Sequence, residues 1–288
     1  MDERGRQCVV ACAAGSPRSS RSRSASSVWL PVRCRTRGTR APPSHPRRRP
    51  APRRPRATRR RRTRRRHRQR VCRGVSQAAV EHSWGESVGG DEFEGDAVDS
   101  KKWDVYDGPG HAGNGCRCPD QVTVTDGHLT IAGEPNGDSG GMAWKQGQQY
   151  GRWEVRMRVN QEDQGGNPYH PVLILWPDSN EWPEGGELDY AEANAGENKM
   201  QAFLHYGDGS ENGGQQEFST EADLTQWHNY AFEWTPDAMV GYIDGKEWFR
   251  SEDDVVQPPG PMHQTIQLDN FFPENGLNPA TMDVDWVR

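Results

Sequence analysis

The stretch from residue 182 to residue 192, Trp-Pro-Glu-Gly-Gly-Glu-Leu-Asp-Tyr-Ala-Glu, constrains the fold of this chain most, because it sets three closely spaced carboxylates, Glu187, Asp189 and Glu192, in an otherwise apolar run. Side chains alternate between the two faces of a β-strand, so Glu187 and Asp189 share one face. Glu192 has the opposite parity and would point to the other face of a regular strand. One extra residue near Tyr190-Ala191, a β-bulge, returns Glu192 to the face of the other two. The sequence therefore predicts a bulged strand with three acids on one wall of a groove.

Three neighbouring carboxyls repel one another, and this repulsion spreads their pKa values. Two carboxyls with separated pKa values are what general acid/base chemistry needs. The alternative is an acidic cluster on a solvated surface or in a turn. The leucine, tyrosine and alanine between the acids, and the Gly-Gly turn before them, favour a site over a solvated cluster.

Charge divides the 288 residues into two parts. Residues 1–75 contain 25 arginines and two acidic residues, whereas residues 76–288 contain 11 basic and 39 acidic residues. The formal net charge of −5 therefore hides a strongly basic segment followed by a strongly acidic one.

Residues 1–81 are predicted to be a disordered tail, and residues 82–288 a single folded domain. The Arg-, Pro- and Ser-rich tail cannot bury enough apolar area to offset its ordering entropy. Three interpretations of the tail remain open: a nucleic-acid-binding segment, a solvated linker, and a stretch that is not native protein but a shifted reading of a GC-rich gene. Its one aromatic residue, Trp29, argues against stacking on bases. The sequence contains no recognisable secretion signal and no apolar run long enough to span a membrane.

The domain is predicted to be all-β, because its apolar residues follow a period of two and its connections are rich in glycine. Asp126-Gly127 and Asp244-Gly245 each separate two short alternating runs, which predicts two tight hairpins. Residues 171–176 form a continuous apolar run and are expected to be a central strand. Residues 151–159 predict a half-buried strand with apolar residues on one face and charged residues on the other: Trp153, Val155, Met157 and Val159, against Arg152, Glu154, Arg156 and Arg158. Many strands and few helices indicate a sandwich or a barrel.

Six cysteines are present, four of them in the tail. Cys116 and Cys118 lie one residue apart in the domain, a spacing that is poor for a disulfide and for a four-ligand zinc site. They are predicted to be free thiols in a loop.

The 182–192 stretch resembles the signature of glycoside hydrolase family 16, Glu-x-Asp-x-x-Glu, in the bulged form found in laminarinase-type enzymes. The preceding Trp-Pro-x-x-Gly matches this family as well. The resemblance implies that Glu187 is the nucleophile and Glu192 the general acid/base, with Asp189 as the assisting carboxylate between them.

Further segments similar to the family run along most of the domain. The fold that this resemblance implies is a concanavalin-like jelly-roll β-sandwich, in which two antiparallel sheets carry a substrate cleft across the concave face. The matching segments are Phe93-Glu94-Gly95 with Asp99 and Trp103, Gly113-Asn114-Gly115, Tyr150 to Arg156, His205-Tyr206, Trp227 to Lys246, and Asp285 to Arg288.

Two departures from the family touch the cleft. Many members carry Trp-Pro-Ala before the apolar strand, where this chain has His170-Pro171-Val172. The tryptophan that is usual on that strand is replaced by Ile174. These changes put the substrate subclass in doubt more than the mechanism.

Five residues are candidates for substrate binding. Flat indole faces suit the C–H faces of sugars, and Trp182, Trp176 and Trp144 neighbour the motif, although each has a core position as its alternative. The resemblance favours His205 as a cleft residue over a structural histidine. Asn114 lies in the segment similar to the family's substrate-side loop, where it would bond a sugar hydroxyl or form a turn.

The implied reaction requires no cofactor. Some family members bind a structural calcium ion partly through an aspartate on the last strand, which Asp285 matches, and an acidic domain suits a hard cation. The alternative is that Asp285 is a solvated strand residue.

The resemblance implies a retaining endo-glycosidase of β-glucan-type polysaccharide, most of all an endo-β-1,3-glucanase. One alternative is a lectin-like glucan-binding module on the same fold, which would be expected to lack the three acids. Another is a hydrolase of mixed-linkage glucan or of an agar- or carrageenan-type polysaccharide. A nucleic-acid function would rest on the tail alone, and none is expected for the folded domain. The domain is expected to be a monomer that binds no membrane, and the resemblance implies an extracellular location.

Overall fold

The computed structural model describes residues 77–273 and 276–288, so most of the predicted tail lies outside the described residues. The described part contains one α-helix, α1 (Ala78–Glu81), and three 3₁₀-helical turns at His111–Gly113, Pro119–Gln121 and Asp254–Val256. None of these helices has the length and hydropathy needed to cross a membrane. Sixteen strands make up the rest: β1 (Trp103–Val105), β2 (Gly108–Pro109), β3 (Cys116–Arg117), β4 (Val122–Thr125), β5 (His128–Gly133), β6 (Gly141–Trp144), β7 (Gly151–Gln161), β8 (His170–Pro177), β9 (Glu187–Glu192), β10 (Lys199–Tyr206), β11 (Gly214–Glu221), β12 (His228–Trp234), β13 (Met239–Ile243), β14 (Lys246–Ser251), β15 (Met262–Asp269) and β16 (Ala280–Val287).

Fourteen of these strands form two seven-stranded antiparallel sheets. The front sheet has the order β1-β6-β15-β8-β9-β10-β11, and the back sheet has the order β14-β13-β12-β7-β16-β5-β4. Strands β2 and β3 form a separate two-stranded ribbon. The two-sheet β-sandwich expected from the sequence is therefore confirmed, with β8 and β9 near the centre of the front sheet.

The hydrophobic core lies between the two sheets, where alternate side chains of both interlock. Strand β9 contributes Leu188, Tyr190 and Ala191 to this core. The Tyr190 ring packs against Phe232 of the back sheet, with 5.6 Å between ring centroids. Its hydroxyl donates a hydrogen bond to Oε1 of Gln264 on β15 at 2.7 Å. Strand β9 is thus anchored both across the core and within its own sheet.

Both hairpins predicted from Asp-Gly pairs are present. Asp126-Gly127 joins β4 to β5, and Asp244-Gly245 joins β13 to β14. Both residues of each pair have φ between 53° and 79°, the left-handed region that a two-residue type I′ turn requires.

Strand β7 turns its apolar residues inward as predicted, but its other face is not simply exposed. Glu154 is 3% exposed and Arg156 is 7% exposed, so the prediction of a half-buried strand is wrong at these two positions. Arg156 lies under the Trp227 ring, 5.4 Å from its centroid, and bonds to Asp285. Segments distant in sequence cover this face, and strand periodicity does not reveal them.

Helix α1 covers Glu154, although its residues fall in the predicted tail. The backbone amides of Ala78 and Ala79 donate to the Glu154 carboxylate at 2.7 and 3.2 Å. Ala78 is fully buried and belongs to a small apolar cluster with Tyr242 of the back sheet. The ordered part of the chain therefore begins before residue 82.

Cys116 and Cys118 are joined by a disulfide, so the prediction of free thiols is wrong. Their Cα atoms are 5.4 Å apart, within the usual range for a disulfide. The amide of Cys118 donates to Ser139 O at 2.7 Å, and the amide of Ser139 donates to Cys116 O at 2.8 Å. This pairing with a distant segment shapes the loop, and the local spacing of the cysteines does not indicate it.

We expect residues 77–288 expressed alone to unfold cooperatively and residues 82–288 to be less stable. Removing residues 77–81 takes two N–H donors from the Glu154 carboxylate and loses the burial of Ala78, which is expected to cost about 1–3 kcal/mol in free energy of unfolding. Urea unfolding of both fragments measures the difference. As a control, Glu154→Gln should reduce the difference in free energy of unfolding between the two fragments, because a neutral amide loses less free energy than a carboxylate when its hydrogen-bond donors are removed. Equal stability of the two unmutated fragments would refute the role given to α1.

Candidate active site

Strand β9 contains the bulge that the sequence predicts. On β8, Leu173 and Ile174 are adjacent, whereas their partners on β9, Ala191 and Asp189, are separated by Tyr190. Tyr190 is therefore the extra residue of the bulge. The register against β10 shifts in the same region. Because both Tyr190 and Ala191 lie in the core, the three acidic side chains of β9 share the outer face of the front sheet.

The surroundings of the acids are formed by alternate residues of the neighbouring strands. On β10, His205 lies opposite Glu187 and Gln201 lies opposite Glu192. The remaining residues of this outer face are Phe203 on β10, His170, Val172, Ile174 and Trp176 on β8, and His263, Thr265, Gln267 and Asp269 on β15. The inward neighbours of these residues belong to the core, so the acids and the side chains around them lie on the face of the sheet that points away from it.

His205 pairs with Asp189, the most buried of the three acids. The two side chains are 3.4 Å apart between Nε2 and Oδ2, and Asp189 is 4% exposed. Burial alone would lower the pKa of His205, but the hydrogen bond and charge of Asp189 and the charge of Glu187 outweigh it and raise that pKa. His205 therefore lies beside the acids, and in its protonated form it offsets part of their negative charge.

Trp182 donates a hydrogen bond to Glu187. The indole Nε1 lies 2.9 Å from Glu187 Oε2, and the indole ring lies 6.2 Å from the His205 ring between centroids. Trp182 is therefore at the acids, where the sequence places it, and it contacts Glu187 through its polar edge. Stacking of a sugar on its face stays a prediction.

Glu187 and Glu192 have different electrostatic surroundings. Burial raises the pKa of Glu187 to about 8 and the charge of Asp189 adds to this, whereas the charge of His205 and the N–H of Trp182 lower it. Burial also raises the pKa of Glu192 well above its usual range, and the neighbouring carboxylates raise it further. No described residue supplies Glu192 with a comparable donor or positive charge. Burial thus favours the protonated form of both glutamates, but Glu187 releases its proton more readily than Glu192, because Trp182 and His205 stabilise its anion.

The other predicted substrate residues occupy different positions. Trp176 lies on the outer face, and its Nε1 donates to Asn180 Oδ1 at 2.9 Å. Trp144 is partly buried and packs against the core beside Trp103, with 4.9 Å between ring centroids, so a role in substrate binding stays a prediction. Asn114 donates to the backbone oxygen of Asn270 at 3.4 Å, where it fixes a loop near the end of β15.

Metal binding finds little support among the described residues. Asp285 Oδ2 accepts a hydrogen bond from Arg156 at 3.1 Å, and Oδ1 lies 3.5 Å from His128 Nε2, so both oxygens have partners and calcium binding by Asp285 stays a prediction. Ligand-type atoms of Glu187, Asp189 and His205 lie within 4.8 Å of one another. These atoms already have partners in one another and in the Trp182 N–H, which favours acid/base chemistry over metal binding.

Two further residues of the outer face were not predicted as site residues. Asp269, at the end of β15, raises the pKa of all three acids through its charge. His170, which pairs with Asp269 in register, stacks on Phe271 with 3.9 Å between centroids, and burial lowers its pKa to about 4. The sequence does carry a signal for Asp269: polar residues alternate along residues 263–269, which marks one face of β15 as polar.

A family model described as "Glycosyl hydrolases family 16" matches residues 115–288. A protein named "Beta-glucanase" from Acetivibrio thermocellus is 31% identical over 204 residues, which cover 66% of this chain and 59% of that protein. "Endo-1,3-1,4-beta-glycanase EglC" from Rhizobium meliloti is 29% identical over 193 residues, which cover 58% of this chain and 38% of that protein. This chain thus spans less than two thirds of the length of these curated relatives.

Among solved structures, the catalytic domain LamAcat from Zobellia galactanivorans is similar, with a TM-score of 0.62 and 21% sequence identity. The match covers 72% of this chain and 98% of that domain. This likeness identifies the sandwich as a jelly roll, the fold expected from the sequence.

Proposed function

The chain belongs to glycosyl hydrolase family 16, and we propose that it is an endo-hydrolase of β-glucan that acts by retaining double displacement. Glu187 serves as the nucleophile and Glu192 as the general acid/base. The observation that carries this proposal is the unequal environment of the two glutamates, which share one face of β9. Trp182 and His205 favour the anion of Glu187, whereas burial and the neighbouring carboxylates of the described residues favour the protonated form of Glu192.

In the first step, Glu192 donates its proton to the glycosidic oxygen while Glu187 attacks the anomeric carbon. The bond from that carbon to the leaving sugar breaks, and a covalent glycosyl-enzyme forms on Glu187. The indole N–H of Trp182 holds the attacking carboxylate in place. The pair of Asp189 and His205 stays beside it and tunes its charge.

In the second step, Glu192 acts as a base. Once its proton has left, its carboxylate faces Asp189 and Asp269 in a buried site, and this repulsion gives it a strong tendency to take a proton back. It removes one from a water molecule, which attacks the anomeric carbon and releases Glu187. The same environment thus serves both steps, and the product keeps the configuration of the substrate.

The proposed substrate is a β-glucan with β-1,3 linkages. The relatives named above are a β-glucanase and an endo-1,3-1,4-β-glycanase. A LamA variant from Zobellia galactanivorans was solved in complex with laminaritriose and laminaritetraose. An extracellular location belongs to the same proposal, because a polymeric glucan is too large to enter a cell.

Replacing each glutamate by alanine tests the assignment of roles. Glu187→Ala removes the nucleophile, so turnover of glucan should fall by about 10³-fold or more. Azide should restore turnover of activated substrates and give a glycosyl azide of inverted configuration. Glu192→Ala removes the acid, so aryl glycosides with acidic leaving groups should keep a fast first step, and azide should give the retained configuration. NMR of the azide products reads out both outcomes.

The wild-type protein is assayed in parallel for reducing ends released from laminarin, mixed-linkage glucan, agar and carrageenan. Release from laminarin is expected to be the largest. Asp283→Asn, on the back sheet, is the control and should keep wild-type turnover. Binding of laminarin without any release would favour a glucan-binding module, and azide products of the opposite configurations would reverse the two roles.

Trp182→Phe should move the acidic limb of the kcat/KM profile to higher pH. The acidic limb reports ionisation of the nucleophile, and loss of the indole donor removes a hydrogen bond that stabilises the anion of Glu187. A hydrogen bond to a charged group corresponds to a shift of about 1–2 pH units. Trp176→Phe is the matched control, because its indole bonds to Asn180 and not to an acid. An unmoved limb in Trp182→Phe, or an equal shift in both variants, would contradict the role of Trp182.

A further inference from the structure

Arg117 and Asp269 form a two-point ion pair at the end of β15. Nε of Arg117 donates to Asp269 Oδ1 at 2.9 Å, and Nη2 donates to Oδ2 at 3.0 Å. The Asp269 side chain is 5% exposed and the Arg117 side chain is 23% exposed. The guanidinium also lies over the Tyr106 ring, 5.6 Å from its centroid. A buried carboxylate in this position would be costly without such a partner.

Asp269 lies close enough to Glu192 on β9 to act on its charge. Strand β8 separates β15 from β9, and Asp269 pairs with His170 whereas Glu192 pairs with Val172, so two strand spacings and a two-residue offset put Asp269 and Glu192 about 12 Å apart. At an effective dielectric constant of about 20, an unpaired charge at that distance moves a pKa by about one unit. The titratable groups that face this region are Glu187, Asp189 and Glu192 on β9, His205 on β10, His170 on β8, and His111 and Tyr106 from the preceding loops.

The loop around Arg117 is held rigidly against β15. The Cys116–Cys118 disulfide brackets Arg117, and both cysteines form backbone hydrogen bonds with Ser139. The Ser139 hydroxyl donates to the backbone oxygen of Leu268, the residue before Asp269. The guanidinium is thus fixed beside Asp269 before any substrate binds, so little side-chain entropy remains to be lost.

We propose that Arg117 is a positioning residue for the reaction: held by its disulfide-bracketed loop, it offsets part of the charge of Asp269, so that this carboxylate acts less strongly on Glu192 than it would alone. This role rests on the proposed function of the two glutamates. Arg117 acts through Asp269 and does not touch the reacting atoms.

The two partners should therefore shift the pH dependence of activity in opposite directions. In Arg117→Gln the charge of Asp269 has lost its positive partner, so the acid Glu192 keeps its proton to higher pH. The basic limb of the kcat/KM profile is expected to move up by about one pH unit. In Asp269→Asn a raising charge is lost and the limb moves down. In the double variant both charges are absent, so the limb should return close to that of the wild type.

A merely structural ion pair would lower stability in both single variants without opposite shifts of the limb. The matched control is Arg158→Gln with Asp283→Asn, which removes an ion pair of 3.0 Å from the back sheet and should leave the limb unmoved. Should Arg117→Gln fail to fold, the shifts of the basic limb in Asp269→Asn and in the double variant still test the proposal. The proposal would be overturned if the basic limb moved in the same direction in both single variants, or if it did not move down in Asp269→Asn. It would also be overturned if the limb of the double variant lay as far from that of the wild type as the limb of a single variant.

The histidines give a readout that does not depend on activity. Burial lowers the pKa of His111, while the charge of Asp269 raises it and that of Arg117 lowers it. NMR titration of the full protein should therefore find a higher His111 pKa in Arg117→Gln and a lower one in Asp269→Asn. These shifts without any glucan hydrolysis by the wild type would count against the proposed function alone. These shifts with an unmoved basic limb in an active enzyme would overturn the positioning role alone.

Discussion

The structure depends on one constraint, the placement of three carboxyls side by side on the buried outer face of a single strand. Such a group is stable only when it retains a proton and when other groups balance part of the remaining charge. Trp182 and His205 stabilise the negative charge of Glu187, and neither side chain stabilises Glu192 to the same degree. The acids are therefore different before substrate arrives, although the chain places them on the same strand.

The bulge and the core keep the acids in this arrangement. Tyr190 is the extra residue of β9, and its ring reaches across the sandwich to Phe232 while its hydroxyl bonds to Gln264. A slip of β9 by one residue would reverse its faces, exposing this tyrosine and burying the acids in the core. The packing energy of the sandwich thus sets the direction in which Glu192 points.

The sequence predicts what depends on local periodicity and fails where distant segments meet. The parity of Glu192 demands a bulge, and the bulge is present. Trp144 shares its face with an inward methionine, so parity predicts its packing against the core. The burial of Glu154 by α1 has no local signal, because it joins residues about 75 positions apart. The pair of Arg117 and Asp269 is separated by 152 positions, and only the folded chain reveals it.

Trapping of the covalent intermediate tests the central claim most directly. The protein is incubated with a 2-deoxy-2-fluoro β-gluco-oligosaccharide that carries a good leaving group, because the fluorine slows both steps and the leaving group restores the first. Peptide mass spectrometry then locates the attached sugar. The account predicts one sugar on Glu187. A sugar on Glu192 or Asp189 would contradict it, as would hydrolysis of glucan by a protein that never becomes labelled.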